Sequence, residues 1–214
     1  MKARTSLMNF MTINSTLTRR TALSGLAATA VAGLVPSSAM AALTAAQAKA
    51  LIDRLVKEIN RVINSGKSEE AMYRDFEKIF AKYSDVPAIA RIALGADARR
   101  ATPAQMRAFT KAFRIYISRK YGKRFREFIG GKIVVQSVHK LKRYYEVKTT
   151  ALLRGQEPFE VDFLVWDRTG KNLFYNIFIE GINMALSEHE EIGAMLDKRK
   201  GNLDRLIKDL PKLA

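Results

Sequence analysis

Few side chains in this sequence offer covalent or acid–base chemistry. His139 and His189 are the only histidines in 214 residues, and they fall in unrelated segments. Cysteine is absent, so the chain depends on its core with no disulfide to help it. No stretch has the spacing of a metal-ligand cluster, a nucleophile elbow or a phosphate-cradling glycine loop. Gly130-Gly131 reads as a helix stop ahead of a strand. Asp162 and Glu180 could form a general acid and base if their strands align. The simpler placement puts Asp162 on the wetter face of a sheet, and Glu180 at a strand end, where it accepts backbone N–H groups.

The elements that would position such groups point instead to apolar surface. "VDFLVWDRTGKNLFYNIFIEG" (161–181) reads as a β-hairpin turning at 167–171. A turn pairing Trp166 with Asn172 puts Val161, Phe163, Val165, Leu173, Tyr175, Ile177 and Ile179 on one face. Tyr175 is the only titrating side chain there. The opposite face carries Asp162 and Asn176 but also Leu164, Trp166, Phe174 and Phe178, more apolar surface than a wetted face should hold.

Before the hairpin the texture is helical. Thr44 is placed to cap a helix with Leu51, Leu55, Ile59 and Ile63 at four-residue spacing. Ser68 starts a second, with Met72, Phe76, Ile79, Phe80 and Tyr83 on one side. "DVPAIARIALG" is a short third helix with Asp85 as cap, Pro87 in the first turn and Gly95 as stop. "ATPAQMRAFTKAFRIYISRKYG" opens on Thr102, Pro103 and Gln105, a strong start signal. Its stripe of Met106, Phe109, Phe113, Tyr116, Ile117 and Tyr121 continues past Gly122 through Phe125, Phe128 and Ile129. Basic residues interleave with these aromatics in "SRKYGKRFREF". Helical spacing assigns the aromatics to the buried stripe and the cations to its solvated side, where headgroup phosphates are a further possible contact.

After Gly131 the period changes from 3.6 to 2. "KIVVQSVHKL", "YYEVKTTALL", "FEVDFLVWD" and "LFYNIFIEG" are four strands of an antiparallel meander. Two helices follow, capped by Ser187 and Asn202. The expected fold is α+β: a helical N-terminal half packed on a four-stranded antiparallel sheet, with C-terminal helices.

Residues 1–41 stand apart from this fold. They hold Lys2, Arg4, Arg19 and Arg20 and no acid, followed by a modest apolar stretch at 22–35 and the small-residue ending Ala39-Met40-Ala41. This is the layout of a cleaved signal peptide, leaving 42–214 as one periplasmic domain. Arg19-Arg20 match a twin-arginine signal, except that Ala22 stands where a large apolar residue is usual; general secretion is the alternative. The apolar stretch is too short to anchor in a membrane. Cleavage takes away four basic residues and leaves 33 Lys+Arg against 21 Asp+Glu. Export argues against nucleic acid as the partner of this positive charge, and for anionic phospholipid surfaces.

Three motifs in order after the signal carry a family resemblance: "ATPAQ…F…F…Y…YG", "VDFLVW" and "IEG" followed by Ile182. The chain resembles the MlaC family, also called toluene-tolerance auxiliary proteins, over roughly residues 75–210. It departs from the family pattern in "RIALGADA", where aromatics often follow the glycine, and in a compact loop at 154–158. The resemblance implies a curved sheet and helices enclosing an apolar cavity for phospholipid acyl chains. It also implies a non-enzymatic, monomeric periplasmic carrier without cofactors, which exchanges phospholipid between an inner-membrane Mla ABC transporter complex and an outer-membrane Mla lipoprotein complex. On this basis Tyr116, Tyr121, Phe125, Val147, Phe163, Val165, Ile177 and Ile182 are the cavity candidates. Tyr121 and Ile182 are chosen from the family motifs and the others by strand and helix phase. Ordinary core is the alternative for each. A carrier of a fatty acid or sterol-like lipid, or an enzyme on an apolar substrate, would suit the same cup.

Overall fold

A computed structural model describes residues 42–123 and 128–213. The proposed signal segment and Phe125 lie outside the described residues.

The first four helices begin where the sequence placed their starts. Thr44 Oγ1 accepts the Gln47 N–H at 3.2 Å while the Gln47 side chain accepts the Thr44 N–H at 2.9 Å, opening α1 (Ala45–Ile63). This satisfies two backbone donors that would otherwise be orphaned at the helix start. α1 buries Leu51, Leu55, Ile59 and Ile63. α2 (Glu69–Tyr83) buries Met72, Phe76, Ile79 and Tyr83. Asp85 accepts the Ala88 N–H at 3.1 Å and opens α3 (Val86–Leu94). Thr102 and Gln105 repeat the reciprocal cap at α4 (Pro103–Gly122). The sequence pattern carried the apolar stripe on through Ile129; α4 itself ends at Gly122, and Phe128 lies in 3-10 geometry just ahead of the sheet.

The sheet has five strands in the order β1 (Lys132–Lys140), β2 (Tyr145–Leu152), β3 (Phe159–Trp166), β4 (Leu173–Ile179) and β5 (Ile182–Asn183), each antiparallel to its neighbour. The fifth, two-residue strand was not expected. It follows a turn in which Glu180 (φ 48°) and Gly181 (φ 76°) are both left-handed, which folds the chain straight back onto β4. α1 lies against β1 and β2, α5 (Met184–Asp197) packs on α3 and β4, and α6 (Leu203–Asp209) reaches α4. One continuous core joins helices and sheet.

The β3–β4 register differs from the one that the turn suggests. Trp166 pairs with Leu173 and Val165 with Phe174, then an irregularity leaves Tyr175 without an opposite residue, and Leu164 pairs with Asn176 and Phe163 with Ile177. A bulge of this kind adds one residue to one strand and flips the faces on either side of it. Phe174 therefore turns into the core, 3% exposed, and meets Phe163 edge to face at 5.6 Å. Tyr175 moves to the other face and stacks on Trp166 with ring centroids 3.8 Å apart. The Trp166 indole in turn donates to Asp85 at 3.2 Å. Much of the outer apolar surface is thus engaged: Leu164 is buried, and Trp166, Tyr175 and Tyr144 cover one another.

At the C-terminal end the expected cap moves. α5 starts three residues before Ser187, because Asn183 accepts the Leu186 N–H at 3.1 Å and opens the helix first. Ser187 lies inside the first turn and donates to the Asn183 carbonyl. Asn202 caps α6 as expected, accepting from Arg205 at 3.0 Å.

Candidate functional site

Between the helices and the inner face of the sheet lies a cavity of about 390 Å³, within the range of small-molecule sites. α1 contributes Leu55 and Ile59, and α2 contributes Phe76, Ile79 and Phe80. The sheet supplies Ile133, Phe159, Val161, Phe163, Phe174, Ile177 and Ile179, and α5 supplies Met184 and Ala185. These residues come from the helical stripes and from alternate strand positions, so the amphipathic pattern that builds the core also builds this wall.

Five polar side chains interrupt the wall: Ser118, Tyr121, Gln156, Asn176 and Glu188. Ser118 donates to the Arg114 carbonyl one turn earlier. Asn176 accepts the Ala185 and Ile177 N–H groups and donates to Asn183, tying β4 to the start of α5. Gln156 is exposed, in the β2–β3 loop. The remaining two belong to a charged cluster. Glu188 is 2% exposed, and its Oε1 accepts from Lys120 Nζ at 2.7 Å and from the Tyr121 hydroxyl at 2.5 Å. Lys120 also bonds Glu191, which accepts from the Tyr116 hydroxyl at 2.6 Å.

Burial alone would raise the Glu191 carboxyl and lower the Lys120 ammonium, but the hydrogen bonds and charges win: Glu188 and then Glu191 acting on Lys120, and Lys120 and then Tyr116 acting on Glu191. Glu191 is held below, and Lys120 above, its ordinary range. Burial, the hydrogen bond to Glu191 and the nearby carboxylates push the Tyr116 phenol up.

Of the eight sequence candidates, the structure brings Tyr121, Phe163 and Ile177 together on the cavity wall. Tyr116, Val147 and Val165 are at most 1% exposed, packed in the core, and are not among the residues lining this cavity. Helix phase could not see that the Tyr116 hydroxyl is drawn towards α5 by Glu191. Ile182, which follows the Glu180-Gly181 turn, is 59% exposed and is not among the residues lining this cavity. Asp162 and Glu180 do not form a pair. Asp162 binds Lys148 across the strands at 3.1 Å, and Glu180 accepts the Glu160 N–H. His139 contacts Ser137, and His189 meets the Ala93 carbonyl.

Residues 49–212 match the family described as MlaC protein. The chain belongs to the MlaC family. A solved structure of the same fold is that of a phospholipid-binding protein from Ralstonia solanacearum in complex with a phospholipid. The two superpose with a TM-score of 0.66 over 77% of this chain and 95% of that one, at 19% identity. Helices and an antiparallel sheet are thus the shared architecture.

Within this MlaC fold the main feature that sequence reasoning missed is Glu188. Its signal was present: Ala185, Glu188, Ile192 and Leu196 form the buried stripe of α5, so a carboxylate occupies an inward position of an amphipathic helix. The α1 and α2 wall residues were legible as buried, but only the packed helices and sheet show that they line a cavity.

Proposed function

We propose that this protein is a periplasmic phospholipid carrier that takes acyl chains into the cavity and passes the lipid between the outer- and inner-membrane Mla complexes. The observation that carries this reading is the apolar wall of the 390 Å³ cavity, in a member of the MlaC family. The relative of similar fold from Ralstonia solanacearum, described as phospholipid-binding, supports it. Each CH₂ transferred from water to such a wall gains about 0.8 kcal/mol. Acyl chains alone therefore supply ample affinity, and release needs a partner that opens the site. Binding and transfer, with no bond made or broken, is the activity that this wall suits.

Native mass spectrometry of the protein purified from the periplasm tests the reading. A mass increment matching phospholipid is expected; fatty acid or a sterol-like lipid in its place, or no adduct, overturns it. Export through Arg19-Arg20 belongs to the same proposal. Changing both to Lys should leave precursor in the cytoplasm, and normal periplasmic yield would leave general secretion as the route.

A further inference from the structure

The two sides of α1 differ in kind. Leu55 and Ile59 line the cavity. At about 3.6 residues per turn, Arg54, Lys57 and Arg61 fall within one sector of roughly 60° directed away from that wall. All three are exposed. They line a second depression, a groove of about 350 Å³ that also takes in Leu51 and Glu58 from α1 and Lys82 and Tyr83 from α2.

The positive charge of this groove is not neutralised from within. Glu58, the one carboxylate among its described lining residues, accepts from Lys82 Nζ at 2.5 Å and from the Tyr83 hydroxyl at 2.8 Å. Asp53, the other acid of α1, is held by Lys49 at 2.9 Å. Arg54 and Lys57 make no hydrogen bond or ion pair with the described residues. Arg61 acts on Glu58 through its charge alone. Three cations therefore stand in excess on one exposed helix face.

Two further features select the occupant. A protein partner calls for an apolar anchor at the centre of its interface, but Leu51 and Tyr83 are only 5% and 3% exposed. From Arg54 to Arg61 the cations extend along about 10 Å of helix axis, farther than one phosphate group reaches. An extended layer of negative charge fits both observations. We propose that the outer face of α1 docks the protein on anionic phospholipid bilayers, with Arg54, Lys57 and Arg61 meeting headgroup phosphates. This docking stands on charge and helix phase and does not depend on the carrier reading. It places the cavity wall at Leu55 and Ile59 about one helix diameter, roughly 10 Å, from the headgroups.

Sedimentation of the periplasmic protein with vesicles tests the proposal. The vesicles are phosphatidylcholine alone or phosphatidylcholine with one-third phosphatidylglycerol, in low salt. Binding to the anionic vesicles should be at least tenfold stronger and should be largely lost in high salt, because exposed charges are screened. Each basic side chain near an anionic surface contributes about fivefold, so the triple variant Arg54→Gln, Lys57→Gln, Arg61→Gln should bind about a hundredfold more weakly. Glutamine keeps the helix propensity of the residues it replaces, and co-purified phospholipid should be unchanged. A control triple, Lys198→Gln, Lys208→Gln, Lys212→Gln, removes the same charge from exposed positions near the C-terminus and should lose less than tenfold. Equal losses in the two triples would mean that net charge, not α1, drives binding, and would overturn the proposal. So would equal binding to the two kinds of vesicle, or an α1 triple that binds as the wild type does; either result leaves the groove to an acidic protein partner. Displacement by inorganic phosphate that exceeds chloride at equal ionic strength would make the groove a site for a single anion and overturn the docking as well.

Discussion

The Tyr121 hydroxyl donates to Glu188 Oε1 at 2.5 Å, beside the Lys120 ammonium at 2.7 Å. Three side chains from α4 and α5 thereby lock the two helices together at the edge of the cavity. A neutral donor to a buried carboxylate is worth more than a surface hydrogen bond, because the carboxylate has lost its water. Tyr121→Phe keeps the ring on the wall and removes that donor. We expect it to lower unfolding free energy by about 1.5 kcal/mol, measured by urea titration, with phospholipid content preserved. Unchanged stability would show that Lys120 alone satisfies Oε1.

Gly122 carries a second constraint on the same helix. A Cβ built there would lie 2.5 Å from Tyr73 Cδ1 and 2.9 Å from Cε1, well inside contact distance, and the Tyr73 ring is buried. Gly122→Ala should therefore destabilise by about 1–3 kcal/mol through overpacking. Pairing it with Tyr73→Val removes the obstacle, so the double variant should lose less than the sum of the two singles. Strict additivity in thermal or urea unfolding would rule out this contact as the reason for glycine.

Stability should narrow at both pH extremes, with opposite signs. Glu191 is held below its unfolded value of 4.5, so its contribution is complete above that pH and is lost as pH falls through the lower folded value. Lys120 is raised, so its contribution is complete below about 10.5 and fades as pH rises through the folded value. Tyr175, pushed up to about 12 by burial and then by Tyr144, follows the same alkaline rule from an ordinary value of 10.0. Melting curves between pH 3 and 11 should show loss below about 4.5 and again above about 10. Glu191→Gln should flatten the acid limb, and an unchanged limb would remove Glu191 from the account.

How much of this was written in the chain varies with the kind of signal. Caps at Thr44, Asp85, Thr102 and Asn202 were legible because each depends on neighbours within three residues. Position 175 was not, since a bulge is chosen by what the two faces bury and leaves no local mark. Cavity and core could not be told apart at Val147 and Val165, which obey the same strand alternation as Phe163. Only the distance between layers separates a wall residue from a packed one. Glu188 was legible as a carboxylate on an inward stripe, but Lys120 and Tyr121, its partners, are 68 and 67 residues away.

Removing lipid should cost stability in proportion to occupancy. A ligand bound only by the folded state adds about 2.7 kcal/mol at a hundred times its dissociation constant. Delipidated protein should consequently melt several degrees below the loaded form in differential scanning fluorimetry, and adding back phospholipid should restore the difference. Identical melting of the two forms would mean that lipid does not occupy the apolar cavity.

Ile177 and Ile182 offer a paired test of where the acyl chains lie. They are chemically identical and five residues apart, yet Ile177 is on the cavity wall and Ile182 is 59% exposed outside it. An unpaired carboxylate on the wall would be heavily penalised once apolar chains surround it, while one on the surface remains in water. Ile182→Asp should therefore fold and keep its lipid. Ile177→Asp should fold, because the side chain is only partly buried, and should co-purify with several-fold less phospholipid. Should the aspartate prevent folding, Ile177→Trp makes the same test sterically, by narrowing an apolar wall without adding charge. Full lipid content in a folded Ile177 variant, or loss of lipid from Ile182→Asp, would move the acyl site away from the inner sheet face to the exposed edge at β5.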